Sequence, residues 1–278
     1  MAMKVNGIEA VMIEDSYYKD SRISTMQLRY HRYIHSEMLT HRMFSRNASS
    51  SRAIPVNKML SQVWNDPAMP THWGANQPGM QAKKELSGIK LRIAKFAWKM
   101  AAKMACGAAW IATKVGLHKQ VANRILEPWQ FIHVIVTATE WDNFFLLRDH
   151  PDAQPEIKEL ARLMKMAMSN SIPTYRAPGE WHLPYISNDE RKFFSIESCI
   201  KMSVARCARV SYLTHDGKNP SVGKDIALHD KLVVSEPLHA SPAEHQASPG
   251  ISTEFYKNFR GWQQYRSFLE LKTPVTRK

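Results

Sequence analysis

The stretch Thr40-His41-Arg42-Met43-Phe44-Ser45-Arg46-Asn47-Ala48-Ser49-Ser50-Ser51-Arg52 decides how this chain is read. It holds three arginines, one histidine, four serines and an asparagine. A buried helix or strand has no partners for so many donors, so the sequence predicts a loop or helix end facing something polar. Arginine forks bind phosphate oxygens in pairs, and hydroxyls with loop N–H groups fill the remaining lone pairs. Composition leaves two readings open here, a solvated basic loop and an anion-binding loop.

The rest of the chain bounds the choice. Its 278 residues suffice for a real core, and 44% hydrophobic content makes it globular. A net charge of +13 attracts nucleic acid, phosphorylated small molecules or acidic membranes without choosing among them. Cys106, Cys199 and Cys207 are too few and too irregularly spaced for a disulfide framework or zinc ribbon, so a reducing, cytoplasmic setting is expected. The N-terminus lacks a signal pattern, and no apolar run reaches the roughly 18 residues that span a bilayer.

Working outward, residues 7–13 and 23–28 read as strands, 30–39 as a helix delivering the chain to the Arg/Ser loop, and 56–63 as a short helix. A Pro/Gly-rich loop follows through Gly79. Residues 83–115 form a long helical stretch with Ile89, Ile93, Phe96 and Met100 at helical spacing and Lys95, Lys99 and Lys103 on one face. A core helix with a solvated cationic stripe is the expectation, and a membrane-surface helix is the alternative. Helix continues over 117–126 to Pro128, and 131–137 is extended. Helices are predicted over 141–148, 154–168, 189–210, 224–235 and 255–271. The mixture predicts an α+β fold.

The opening stretch resembles the signature R-H-R-x-x-S-x-N-x-x-S-x-R of flavin-dependent thymidylate synthases: His41, Arg42, Ser45, Asn47, Ser50 and Arg52 hold the register, with Thr40 in place of the first arginine. Arg148-Asp149-His150-Pro151-Asp152-Ala153-Gln154-Pro155-Glu156-Ile157 resembles a second family block, R-x-x-x-x-A-Q-x-E-I. Arg124-Ile125 with Pro128 resembles R-I-x-L-P, and Asn143 falls where the family has a flavin-contacting asparagine. Residues 208–212 (Ala-Arg-Val-Ser-Tyr) and 239–245 (His-Ala-Ser-Pro-Ala-Glu-His) resemble a third pair of motifs, which in the family precede the signature. Circular permutation accounts for that order. The resemblance implies one catalytic domain over 1–278, with a signature part (1–170) and a permuted part (190–278), and long helices packed on an antiparallel sheet.

It also implies a chemistry. The reaction would methylate dUMP with methylenetetrahydrofolate and FAD reduced by NADPH, in a homotetramer. Glu37, Ser50, Ser51, Arg52, Arg124 and Arg148 would bind the nucleotide. Arg148 would favour ionisation of the base, as a guanidinium beside a developing anion does. On its own, Arg148 also reads as a cation meeting a helix C-terminus. His41, Arg42, Asn47, Asn143, His239, Ser241 and Glu244 would contact the cofactors. Cys207, in an apolar run, is not needed as a nucleophile.

Departures from the pattern bear on the outcome. Glu37 stands for a nucleotide-reading glutamine, Thr40 for an arginine, Ala48 for a glutamate or glutamine, and Thr139 for an FAD-contacting arginine. A carboxylate at 37 could accept from an exocyclic amine, so hydroxymethylation of dUMP or dCMP is a second reading. A nucleic-acid-binding protein is a third, supported by the charge, the Arg/Lys stripe and an expected exposure of aromatics such as Trp262 and Tyr265, but no binding motif accompanies them and the basic residues are scattered. Metal ligation by His31, His35, Glu37 and His41 is not expected, because the family uses none, nor by His239 and His245, whose spacing is not the i,i+4 pair of a helical zinc site and which Pro242 separates.

Overall fold

The computed structural model describes residues 3–210, 220–234 and 240–272. Strands β1 (Met3–Val5), β2 (Ile8–Tyr18) and β3 (Ser21–His31) form consecutive hairpins. The first turn is Asn6-Gly7, both at positive φ, and a Cβ on Gly7 would lie 2.5 Å from the Phe131 ring. That backbone and that close approach require glycine.

Chain order then runs through α1 (His35–Leu39), β4 (Ser45–Ala48), α2 (Val56–Asn65), α3 (Gly88–Lys114), α4 (Lys119–Ala122) and a 3-10 segment, Asn123–Trp129. Next come β5 (Phe131–Ala138), α5 (Asp142–Arg148), α6 (Pro155–Ser169), β6 (Thr174–Tyr175), α7 (Asn188–Phe193), α8 (Ile196–Arg209) and α9 (Val222–Val234). A 3-10 turn, Ser241–Glu244, leads to β7 (Ala247–Pro249), β8 (Phe255–Tyr256), β9 (Phe259–Arg260), β10 (Trp262–Gln264) and α10 (Tyr265–Lys272). The main sheet has the order β1-β2-β3-β5-β4, all antiparallel, with β6 added parallel to β2.

The sheet is covered on both faces. Met26, Leu28 and Tyr30 of β3 and Val134, Val136 and Ala138 of β5 pack with Ile157, Leu160, Ala161 and Met164 of α6. Each large side chain so buried stabilises the fold by about 1.5–3 kcal/mol. Ile135, on the opposite face of β5, meets Cys207 and Val210 at the end of α8. Two-sided burial explains why β5 reads as a continuous apolar run.

On the face toward α8 runs a buried polar chain. Ser16 Oγ lies 3.0 Å from His182 Nδ1, and His182 Nε2 lies 2.7 Å from Thr25 Oγ1. Thr25 Oγ1 lies 2.7 Å from Thr137 Oγ1, which lies 2.8 Å from His245 Nδ1. Burial holds both imidazoles neutral, His245 down to about 3 and His182 well below its ordinary value.

Several sequence expectations change. The Arg/Ser stretch is not all loop: Ser45–Ala48 pairs with β5, because the donors of Arg46 and Asn47 find backbone carbonyls. Residues 30–31 belong to β3, so His31 and His35 do not share a helix face. His31 Nε2 instead meets the Met69 carbonyl at 2.7 Å. The predicted helix over 255–271 begins only at Tyr265, since Trp262 and Gln264 pair with β7. The longest helix, α3, packs on α2 rather than on the sheet, through Ala102, Ala105, Cys106 and Ala109. Its large residues do not enter the core: Ile89, Ile93, Phe96 and Met104 are 60%, 60%, 65% and 71% exposed. No helix among the described residues is long and apolar enough to cross a membrane.

Candidate functional site

Arg148 ends α5, where a cation meets the unpaired carbonyls of the last turn. Its guanidinium reaches back to α1 and the turn after it. Nη1 donates to Glu37 Oε2 at 3.1 Å, Nε donates to His41 Nε2 at 3.0 Å, and Nη2 donates to Thr40 Oγ1 at 3.4 Å. The two departures at 37 and 40 therefore converge on the arginine read as catalytic. His41 is buried, lies flat against Phe44 and meets Phe144 edge-on. Burial first, then the charges of Arg148 and Arg46, lower its pKa to about 4. A neutral ring accepting at Nε2 carries its proton on Nδ1.

Arg46 had no role in the sequence reading, yet it shapes this corner. One of its nitrogens donates to the carbonyls of Met38 (3.1 Å), Leu39 (3.0 Å) and His41 (2.8 Å). These are α1's open C-terminal carbonyls and the turn beyond, so Arg46 fixes how the chain leaves α1. The signal was present: a cation a few residues past a predicted helix.

Asn47 Nδ2 donates to the carbonyls of Cys207 (2.8 Å) and Ala208 (3.3 Å), tying β4 to the end of α8. Ser45 is buried and accepts from Asn258 Nδ2 and Gln264 Nε2, each at 3.0 Å. The 3-10 turn carrying Ser241 and Glu244 packs against β4. Ser241 is exposed, Glu244 pairs with Arg266, and the Glu244 charge acts on Arg46. The structure thus brings the signature strand and the late motifs together. His239, Ser211 and Tyr212 lie outside the described residues.

Past the far end of β4, Ser50 and Arg52 are exposed while Ser51 is buried. Asn123 Nδ2 donates to the carbonyls of Ser51 (2.7 Å) and Ile54 (3.0 Å), bringing the segment of Arg124 beside this turn. Arg124 is exposed and donates to Glu127 at 3.2 Å. Among the described residues, the guanidiniums of Arg42 and Arg52 have no hydrogen bond or ion pair, which suits them to external anions. Asn143 is exposed on the first turn of α5. The four residues of β4, roughly 13 Å of strand, separate the Arg148 corner from the Ser50–Arg52 turn. Within the chain these residues form two groups.

Behind the site, Arg206 is buried against Glu190 (2.6 Å) and Asp225 (3.0 Å), and Arg209 pairs with the same Asp225. Sequence reading did not find this network, whose partners lie far apart in the chain. Cys207 is fully buried and its thiol is pushed up by burial, so it stays protonated. Among the described residues no histidine, cysteine and carboxylate group has metal-binding geometry.

No curated protein matches the chain. Among solved structures, a UMP/dUMP methylase, PolB, from Streptomyces cacaoi, bound with 5-Br dUMP, shares 16% identity at a TM-score of 0.42, covering 53% of this chain and 67% of that one. That likeness is too loose to bear on function. The thymidylate synthase complementing protein family matches residues 23–174, from β3 to the start of β6. That span takes in the Arg/Ser signature, Arg124 and Arg148 and exceeds half of the 278 residues, and the chain belongs to the thymidylate synthase complementing protein family.

Proposed function

We propose that the protein is a flavin-dependent enzyme transferring a one-carbon unit to a deoxynucleoside monophosphate, with dUMP as substrate and dTMP as product. FAD, reduced by NADPH, and methylenetetrahydrofolate are its cofactors. The observation that carries this reading is Arg148, held by Glu37, Thr40 and His41 yet still reaching solvent. A guanidinium fixed in that way favours the anionic form of a base set against it.

The free guanidiniums of Arg42 and Arg52 and the exposed Ser50 and Asn143 fit a phosphate-bearing cofactor and substrate. In this reading Ser50, Ser51, Arg52 and Arg124 hold the nucleotide's phosphate and sugar. His41, Arg42, Asn47, Asn143, His239, Ser241 and Glu244 line the cofactor side. When bound, reduced flavin supplies the hydride and the folate supplies the carbon. Two groups at opposite ends of β4 fit a site completed by a second subunit, and the exposed apolar face of α3 fits self-association in a homo-oligomer.

Glu37 supports one alternative. Its carboxylate stands 3.1 Å from Arg148 Nη1, where it can accept from the amine of a cytosine, so hydroxymethylation of dCMP or dUMP is the second reading. The test is the visible spectrum of purified protein with and without dUMP, followed by product mass with each nucleotide. A flavin spectrum perturbed by dUMP and a dTMP product support the first reading. A product heavier than its nucleotide substrate by the atoms of formaldehyde, rather than by a methylene, supports the second. Colourless protein with no nucleotide-dependent product sinks both.

A further inference from the structure

The basic side of α3 has tryptophans set against it. The helix carries Lys90, Arg92, Lys95, Lys99, Lys103 and Lys114 and no carboxylate. None of these cations has an ion pair among the described residues. Three of the ammoniums stand over indole rings instead: Lys95 over Trp73 at 5.9 Å, Lys103 over Trp64 at 5.0 Å and Lys114 over Trp110 at 5.5 Å. At exposed sites such contacts are weak, so the ammoniums remain available to an anion. From Lys95 to Lys114 the helix rises about 28 Å.

Two of the tryptophans border a recess. Trp64, from the end of α2, and Trp110, from α3, are each half exposed. With Leu60, Cys106 and Gly107 they line a slot of about 330 Å3 between the two helices. That volume is at the small end of ligand sites and suits one ring system. Gly107 weakens the middle of a helix, yet no close approach demands it, because a Cβ there would meet no atom within 4 Å. What its missing side chain does is keep the slot open. Lys103 and Lys114 bracket the slot along the helix axis.

A partner matching this face repeats flat rings and anionic groups along a line. We infer that the basic side of α3 binds single-stranded nucleic acid, with one base against indole in the slot and backbone phosphates at Lys95, Lys99, Lys103 and Lys114. Every base has a π face for indole, and lysines track the backbone. A duplex hides those faces in its own stack. An anionic bilayer offers charge without rings, and protruding apolar side chains rather than a recess would meet it. The aromatics expected from the sequence for such a role are used elsewhere: Trp262 is buried with Ile23 and Phe259, and Tyr265 meets Trp181 edge-on. The inference goes beyond the transfer reaction and uses none of the residues assigned to it.

The experiment is a fluorescence-anisotropy titration of the whole protein with a labelled oligothymidylate of about 12 nucleotides, at several salt concentrations and with dUMP in excess. Neutralising about four phosphates predicts a log–log salt slope of about −3. Gly107→Leu, which fills the slot, should weaken binding about tenfold and leave that slope unchanged. Lys99→Ala should reduce the steepness of the slope by about 0.7. If Gly107→Leu fails to fold, Trp110→Ala reads the same tenfold loss. Four results would each overturn the inference: duplex DNA bound equally well, oligonucleotide binding abolished by dUMP, binding to phosphatidylserine vesicles alone, or affinity unchanged in the folded slot variants. A dUMP-dependent product in the same protein would leave the proposed function standing independently of that result.

Discussion

Replacing Arg148 with methionine keeps most of the side-chain volume and removes its charge and hydrogen bonds. The informative readout is His41. Its ring is held at about 4 by burial first, then by Arg148, then by Arg46. Two unit charges about 4 Å apart interact by about 4 kcal/mol at an effective dielectric of 20. That is an upper bound here, because the Arg148 side chain is 22% exposed and solvent screens it. Since burial outranks Arg148, the expected release in Arg148→Met is about one pKa unit, or about 1.4 kcal/mol. His41 should then titrate higher but still below its ordinary 6.5. The sign for stability follows. A histidine lowered in the folded state leaves the unfolded chain to bind the proton first, so acid destabilises the fold progressively from 6.5 down to about 4. In Arg148→Met that acid window should narrow. NMR titration of the His41 ring in both proteins measures it. An unchanged midpoint in the variant would show that Arg148 does not set the state of His41, and a full return to the ordinary value would show that burial does not lead.

Other perturbations give separate readouts. Under the proposed flavin chemistry, Arg148→Ala should abolish turnover while FAD stays bound, so a loss of flavin absorbance in the folded variant would count against its role on the substrate. Asn47→Ala, which removes two hydrogen bonds to the end of α8, should cost about 1–2 kcal/mol in chemical denaturation. Asp225→Asn leaves Arg206 and Arg209 short of a buried carboxylate and should destabilise by about 3 kcal/mol, and a smaller loss than Asn47→Ala would contradict the network's importance. Phe96→Asp, at a 65% exposed side chain on the apolar face of α3, should reduce the mass seen by light scattering; an unchanged mass would remove that face from self-association.

The most legible parts of the sequence were those with local causes. The alternation of β3, the continuous apolar run of β5 and the spacing of α6 each state how a face is buried, and the elements formed within a few residues of expectation. The arginine signature marked where polar chemistry gathers, and residues 23–174 show that its register is a family property. What stayed hidden depends on partners distant in sequence. Nothing near Ser45 announces Asn258 and Gln264, whose amides accept it into a strand rather than a loop. The spacing of Phe255, Phe259 and Trp262 looked helical because i, i+4 and i+7 share one helix face, and only pairing with β7 decides 262–264 for strand. The apolar stripe of α3 is periodic as a core helix should be, but alanines on its opposite face let α2 approach first.

The buried polar chain along the sheet's α8 face has a logic of its own. Thr25 and Thr137 each own a single hydroxyl proton, so each can donate in one direction only. If Thr137 points toward His245, then Thr25 must point toward Thr137, and His182 must offer its Nε2 proton to Thr25. If the row reverses, His245 donates from Nδ1 and His182 from Nδ1 to Ser16. The tautomers of two histidines are thus one choice rather than two, and His245 Nε2, which has no partner, is a bare lone pair in one setting and a stranded N–H in the other.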